Sequence, residues 1–137
     1  MDNNIKQKLR DFFFNDEFAK TNGISIVDVS EGIGSAVMTV EKRHLNGVRS
    51  VQGGAVFTLA DLAFALASNS RGYVSVGLNN YINYLKPAFE GDILTAEAKE
   101  VSRGRTIGTY EVKITNQKDE LVAVFQGTAY IKKDIIF

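Results

Sequence analysis

The stretch SVQGGAVFTLADLAFALASNS, residues 50–70, constrains the fold more than any other part of the chain. From about Gly54 to Ser68 its spacing is that of a helix. Val56, Phe57, Leu59, Leu62, Phe64 and Leu66 surround the axis, and alanines fill the gaps. A helix apolar on every side is expected to be buried on every side. The apolar run is too short to span a membrane, so in a chain of 137 residues, the length of one domain, the rest must wrap around it.

The remaining sequence reads as that wrapper. GISIVDVSEGIGSAVMTVE gives two strands with a turn at Glu31-Gly32, and KRHLNGVRS is a loop with a turn signal at Asn46-Gly47. YVSVGLNNYINYLKP alternates Val74, Val76 and Leu78 with Ser75, Gly77 and Asn79. DILTAEAKEVSRG alternates Leu94, Ala96 and Ala98 with Thr95, Glu97 and Lys99. RTIGTYEVKITNQKDELVAVFQGTAYIKK reads as two strands joined at NQKDE. Consecutive long strands argue for an antiparallel sheet. The expected class is α+β: one domain over 1–137, a curved sheet around one helix, preceded by a single terminal helix over residues 4–20. In that helix Ile5, Leu9, Phe12 and Phe13 form an apolar stripe.

Composition removes several chemistries. No cysteine is present, which excludes disulfides and thiolate metal sites, and the single histidine, His44, cannot build a multi-histidine metal site. His44 is expected to be a loop residue without a role in proton transfer. Lysine plus arginine equal aspartate plus glutamate at 16 each, with no long run of one sign, which argues against a nucleic-acid partner. The N-terminal residues lack the pattern of a secretory signal, so a cytoplasmic, non-membrane protein is expected. There is no G-x-S-x-G elbow, no P-loop and no dinucleotide-binding glycine fingerprint.

What remains is a glycine pair at a helix start and one carboxylate inside the greasiest helix. The first N–H groups of a helix have no internal partner and lie at the positive end of its dipole. At Gly53 and Gly54 a ligand can approach that backbone, making a donor site for an oxyanion; a tight structural turn is the plainer alternative. Asp61 costs several kcal/mol to bury unless it is paired. No lysine or arginine lies between Gln52 and Ser70, so a cation would have to come from elsewhere, or this helix face would have to reach solvent. Asp61 in apolar surroundings can instead be a nucleophile or general base acting on a carbonyl. Eight positions separate Gly53 from Asp61, about 12 Å along a helix axis with directions differing by roughly 80°. Both can serve one carbonyl only if two subunits each contribute one of them, as antiparallel helices across a two-fold would.

HLNGVRSVQGGAVFTLADLAFALASNS, followed by VSVGLNNYINYLKPAFEGD and SRGRTIGTYEV, resembles the phenylacetate-pathway-type (PaaI-like) thioesterases of the hotdog superfamily, over most of the chain from about Asn22 to Lys132. The resemblance implies a hotdog fold, a long helix wrapped by an antiparallel sheet and paired into dimers and often tetramers. It implies hydrolysis of acyl-coenzyme A thioesters at the dimer interface, with coenzyme A as part of the substrate and no cofactor. Gly53 matches the oxyanion-hole glycine, and Asp61 matches the carboxylate supplied by the neighbouring subunit. Asn46 matches a polar residue near the thioester, and Ser75 matches a hydroxyl that helps hold water. The family usually reads His-Gly-Gly where this chain reads Gln52-Gly53-Gly54. Glutamine keeps a donor and an acceptor but cannot titrate near neutrality. Arg103 and Arg105 in SRGRT are the expected holders of the coenzyme A phosphates, with a basic surface turn as the alternative. Two other classes compete with this reading: an acyl-coenzyme A binding module with little turnover, which Gln52 keeps open, and a dehydratase, which usually needs a catalytic histidine close to the substrate's α-carbon where this chain has only His44.

Overall fold

Helix α3, Gly53–Asn69, runs through the middle of the molecule. The computed structural model describes residues 1–137. Ahead of α3 come α1 (Asn3–Phe13), α2 (Glu17–Thr21), β1 (Ile24–Ser30), β2 (Ile33–Thr39) and a short 3-10 turn at Lys42–His44. After it come β3 (Tyr73–Tyr84), β4 (Ile93–Arg103), β5 (Ile107–Thr115) and β6 (Leu121–Ile135). The six strands form one antiparallel sheet in the order β1-β2-β4-β5-β6-β3. This is the α+β architecture that the buried helix and alternating strands imply.

The inner face of the sheet is built for a close helix. Ala36 pairs with Ala96, and Ala98 pairs with Val112, so small side chains line the centre. Gly34 is the closest approach: a Cβ there would stand 2.6 Å from Leu66 Cβ and 2.8 Å from the Ala63 carbonyl. Larger residues fill the flanks. Phe64 packs edge-on against Tyr110 at 5.7 Å between ring centres, and Phe57 against Phe125 at 5.2 Å. Truncating Phe64, which is 2% exposed, to alanine would cost about 3–5 kcal/mol.

Three expectations are corrected, and one that the alternation leaves open is settled. The terminal segment is two helices, not one over 4–20. It breaks at residues 14–16 because Asp16 caps α2, accepting from the Ala19 N–H at 3.0 Å. The central helix is not buried on every side: Gly54 and Asp61 are exposed, and Thr58 and Ala65 are half-buried. With spacings of four, three and four they form one stripe that the chain leaves uncovered. On β3, where alternation assigns no face, the Ser75 row faces α3, while Val76 and Leu78 point away and are about half exposed, with a bulge between Gly77 and Asn79. His44 is a buried structural residue rather than a plain loop residue. Its Nδ1 accepts from the Glu41 N–H at 2.9 Å, which leaves Nε2 to donate to the Asn22 carbonyl at 2.8 Å.

The two sheet edges differ. Along β1 lies α1, where Arg10 donates to the Val27 carbonyl at 2.8 Å and Lys6 pairs with Asp28. β3, twelve residues long, has β6 on one side and nothing on the other. No helix is long and apolar enough to cross a membrane.

Candidate active site

The N-terminal end of α3 is organised by Gln52. Its backbone is extended, its N–H donates to the His44 carbonyl, and its carbonyl accepts from Ala55 and Val56. Its side-chain Oε1 accepts from the Gly54 N–H, so the glutamine acts as the helix cap. These bonds take the Gly54, Ala55 and Val56 amides and leave the Gly53 N–H without a partner among the cap bonds. Tyr84, from the end of β3, lies directly over Gly53 and donates its hydroxyl to the Gly53 carbonyl at 2.8 Å. A Cβ at position 53 would meet the Tyr84 ring and hydroxyl at 3.0 Å, which explains the glycine. Partial burial raises the Tyr84 hydroxyl above its ordinary pKa. Gly53 and Tyr84 border a cleft of about 500 Å³ that also touches Ser50 and Lys86.

Asn46 spends its side chain on its own loop. Its Oδ1 accepts from the Val48 and Ser50 N–H groups at 3.0 and 3.2 Å, and its Nδ2 donates to the Ser50 hydroxyl. It fixes the approach to Gln52 and is half-buried.

Asp61 sits in the uncovered stripe of α3. It has no cation and no hydrogen-bond donor within the chain, so the alternative of a paired core carboxylate does not hold. Its carboxylate reaches solvent in the single chain, yet protein atoms crowd it enough that desolvation raises its pKa; the Asp16 carboxylate raises it further. Asp61 and Gly53 do not converge in one chain: eight residues along one helix keep them about 12 Å apart in axial rise.

The C-terminal end of α3 holds the other expected residues. Ser75 donates its hydroxyl to Ser68 Oγ at 2.8 Å, and its N–H donates to Asn69 Oδ1 at 2.9 Å. Arg103 donates through Nη1 to the Ser68 carbonyl at 3.0 Å and to the Tyr110 hydroxyl at 2.9 Å. Arg105 is exposed and has no ion pair. Both arginines line a cavity of about 510 Å³ together with Arg71, Lys132, Lys133 and Tyr130. The two lysines and Tyr84 escaped the sequence reading. Strand alternation shows neither which end of β6 meets the SRGRT turn nor that Tyr84 reaches across to a helix start.

The family model of the thioesterase superfamily matches residues 50–123, from the loop before α3 into β6. The chain belongs to the thioesterase superfamily. Within it, this thioesterase is of the PaaI-like type. It is 41% identical over 124 residues to the acyl-coenzyme A thioesterase PaaI of Escherichia coli, an alignment covering 90% of this chain and 89% of that protein. The solved structure of E. coli PaaI, from the phenylacetic acid degradation operon, superposes with a TM-score of 0.91, covering 96% of this chain and 98% of that one. The Streptococcus mutans protein smu.793, solved bound to acetyl-CoA, is 32% identical with a TM-score of 0.78, covering 82% of this chain and 90% of that one. The architecture is the hotdog fold, and the family of this chain hydrolyses acyl-coenzyme A thioesters.

Proposed function

We propose that this thioesterase cleaves acyl-coenzyme A esters at sites shared between two copies of the chain. One copy offers the Gly53 N–H to the thioester oxygen, and the other offers Asp61. As nucleophile, the carboxylate attacks the carbonyl carbon while the developing oxyanion sits on the Gly53 amide. Collapse expels the coenzyme A thiolate, and water then cleaves the mixed anhydride. As general base, Asp61 takes a proton from water, which attacks the same carbon. Both routes convert thioester and water to acid and thiol. The thiolate is a good leaving group, so the site needs chiefly carbonyl polarisation and a positioned carboxylate. In this reading coenzyme A is the carrier part of the substrate, not a resident cofactor.

The observation that carries the proposal is the pair of unclaimed groups on one helix. The Gly53 amide and the Asp61 carboxylate lack partners in the chain, yet they face different directions. A second copy satisfies both. It also accounts for β3, whose twelve-residue open edge carries Val76, Leu78 and Tyr81 about half exposed, a surface that invites pairing with another strand. The unit is then a homodimer with two equivalent sites, and two such dimers would make a homotetramer. The basic cavity supports a seat for the phosphates of coenzyme A. Arg103 in that cavity bonds the Ser68 carbonyl, and Asp61 is seven residues from Ser68, about 10 Å along the axis, a separation that the pantetheine arm can span.

Thiol release from a panel of aryl and fatty acyl-coenzyme A esters tests the function, with Asp61→Asn as control. Turnover that stops in the variant supports the proposal. Tight binding without release from any ester would favour the binding-module reading, which Gln52 favours because its Oε1 is occupied as a cap.

A further inference from the structure

The geometry points to a division of labour in the basic cavity: Arg103 is a positioning residue that holds the C-terminal end of α3, and the phosphate contacts fall to Arg105, Lys132 and Lys133. The inference rests on the thioesterase reading and assigns its cavity residue by residue.

The last turn of α3 has no basic residue of its own, although the end of a helix attracts one. Ser68 is 2% exposed, so its carbonyl cannot turn to water. Arg103 arrives from the end of β4 and fills that place. Its Nη1 carries two hydrogens, and both are spent, one on the Ser68 carbonyl and one on the Tyr110 hydroxyl. Tyr110 is fully buried; its hydroxyl accepts from Arg103 and donates to Glu100 Oε1 at 3.1 Å, so the chain of bonds has one direction. Glu100 is gripped by Arg71, Nε to Oε1 at 3.1 Å and Nη2 to Oε2 at 2.8 Å, and Arg71 also pairs with Glu31 in the β1–β2 turn. The Arg71 hydrogen bonds hold the Glu100 carboxyl below its ordinary pKa, keeping it an acceptor. The network thus ties α3 to three separate parts of the sheet. Without Arg103, the Ser68 carbonyl and the Tyr110 hydroxyl both lose their donor.

The other cations of the cavity are differently placed. Arg105 and Lys133 have no ion pair, and Lys132 reaches only Asp134, at 4.0 Å. All three are exposed at the cavity. They are free to meet a phosphate without dismantling anything. Arg103 is held at Nη1 by α3 and Tyr110, so its guanidinium is fixed in place whatever its remaining N–H groups meet, and α3 is the element that carries Gly53 and Asp61.

The test compares Arg103→Met with Arg105→Met on two thioesters of one acyl group, the coenzyme A ester and the truncated N-acetylcysteamine ester. Tm and the Kd of free coenzyme A are measured alongside. Arg103→Met is expected to lower kcat about tenfold or more on both esters, since small misplacements of reacting groups carry costs of that order. Its Tm falls, and its coenzyme A Kd stays within about twofold of wild type because no phosphate ligand is lost. Arg105→Met is expected to raise KM for the coenzyme A ester and the Kd about five- to tenfold through a lost charge-assisted contact. Its Tm and its kinetics on the truncated ester are expected to hold. Weakened coenzyme A binding by Arg103→Met, with kcat on the truncated ester intact, would overturn the assignment. Should Arg103→Met fail to fold, Tyr110→Phe, which lies outside the cavity, is read for the same fall in kcat at constant KM; an unchanged kcat overturns it. If wild type binds coenzyme A but releases no thiol, the thioesterase reading fails, and the Tm and Kd comparison still decides the division of labour.

Discussion

At the C-terminal end of α3, the chain itself answers four of the last five carbonyls. Ala65 accepts from Asn69, Ala67 from the Ser70 hydroxyl and N–H, Ser68 from Arg103, and Asn69 from the Gly72 N–H. At the N-terminal end, the cap takes Gly54, Ala55 and Val56 and leaves Gly53 over. Both ends belong to one 17-residue helix packed by one sheet. One end is anchored by its side chains, while the other keeps an amide donor that the cap bonds do not use. The same contrast recurs across the helix, where the buried flanks are apolar and the uncovered stripe carries Asp61.

The contrast is broken most severely at Asp61. Asp61→Asn keeps the shape and removes the negative oxygen, and kcat is expected to fall about 10³-fold or more, as for loss of a catalytic carboxylate. A variant with unchanged kcat would remove Asp61 from the reaction. Next comes the open end. Gly53→Ala keeps the amide but pushes a Cβ against Tyr84, which already stands 3.0 Å from that position. Displacement of the donor by a fraction of an ångström to one ångström is expected to cost about 10²-fold in kcat. Circular dichroism of the folded variant shows whether the loss is local.

Gln52 separates capping from chemistry. Gln52→Ala gives up the cap and is expected to lose about 1 kcal/mol of stability, read as a lower midpoint in urea unfolding. Gln52→His restores the usual family residue and is expected to raise kcat by less than about tenfold, because the thiolate leaves without strong acid help. A gain beyond about 100-fold, the range of general acid–base assistance, would mean that glutamine cripples this site. The smallest effect concerns pH. The folded-state pKa of Asp61 is raised, by desolvation first and by Asp16 second, so its stabilising contribution is present at low pH and is lost as pH rises through that raised value. Asp61→Asn should therefore have a higher Tm than wild type at neutral pH. The gap should close below the ordinary aspartate pKa, as differential scanning calorimetry across pH would record. The activity of wild type should rise over the same interval as the carboxylate forms.

Much of this was legible in the residues because burial writes a period into the sequence. The alternation of Leu94, Ala96 and Ala98 and the apolar flanks of α3 both follow burial, while the Asp61 stripe of α3 stays uncovered. The break in the terminal helix was also written, in Asp16-Glu17, but the apolar stripe of Ile5, Leu9 and Phe13 hid it. β3 was harder. Its half-exposed apolar row looks like a core row, since alternation shows two faces without saying which one meets the helix. Ser75 and Gly77 take the inner face because the Phe64 ring occupies the space beside Gly77. Long-range polar choices leave no local trace at all. Nothing in SRGRT distinguishes Arg103, bonded to a helix carbonyl 35 residues away, from Arg105, which is free.

Mixing two disabled variants tests the shared site most directly. Gly53→Ala and Asp61→Asn are each purified, then co-refolded in equal amounts so that half the dimers carry one copy of each. In such a mixed dimer one site receives both changes and the other receives neither, so activity should return to about a quarter of wild type. Activity that stays at the average of the two parents, in a sample shown to contain mixed dimers, would mean that Gly53 and Asp61 do not meet across two chains.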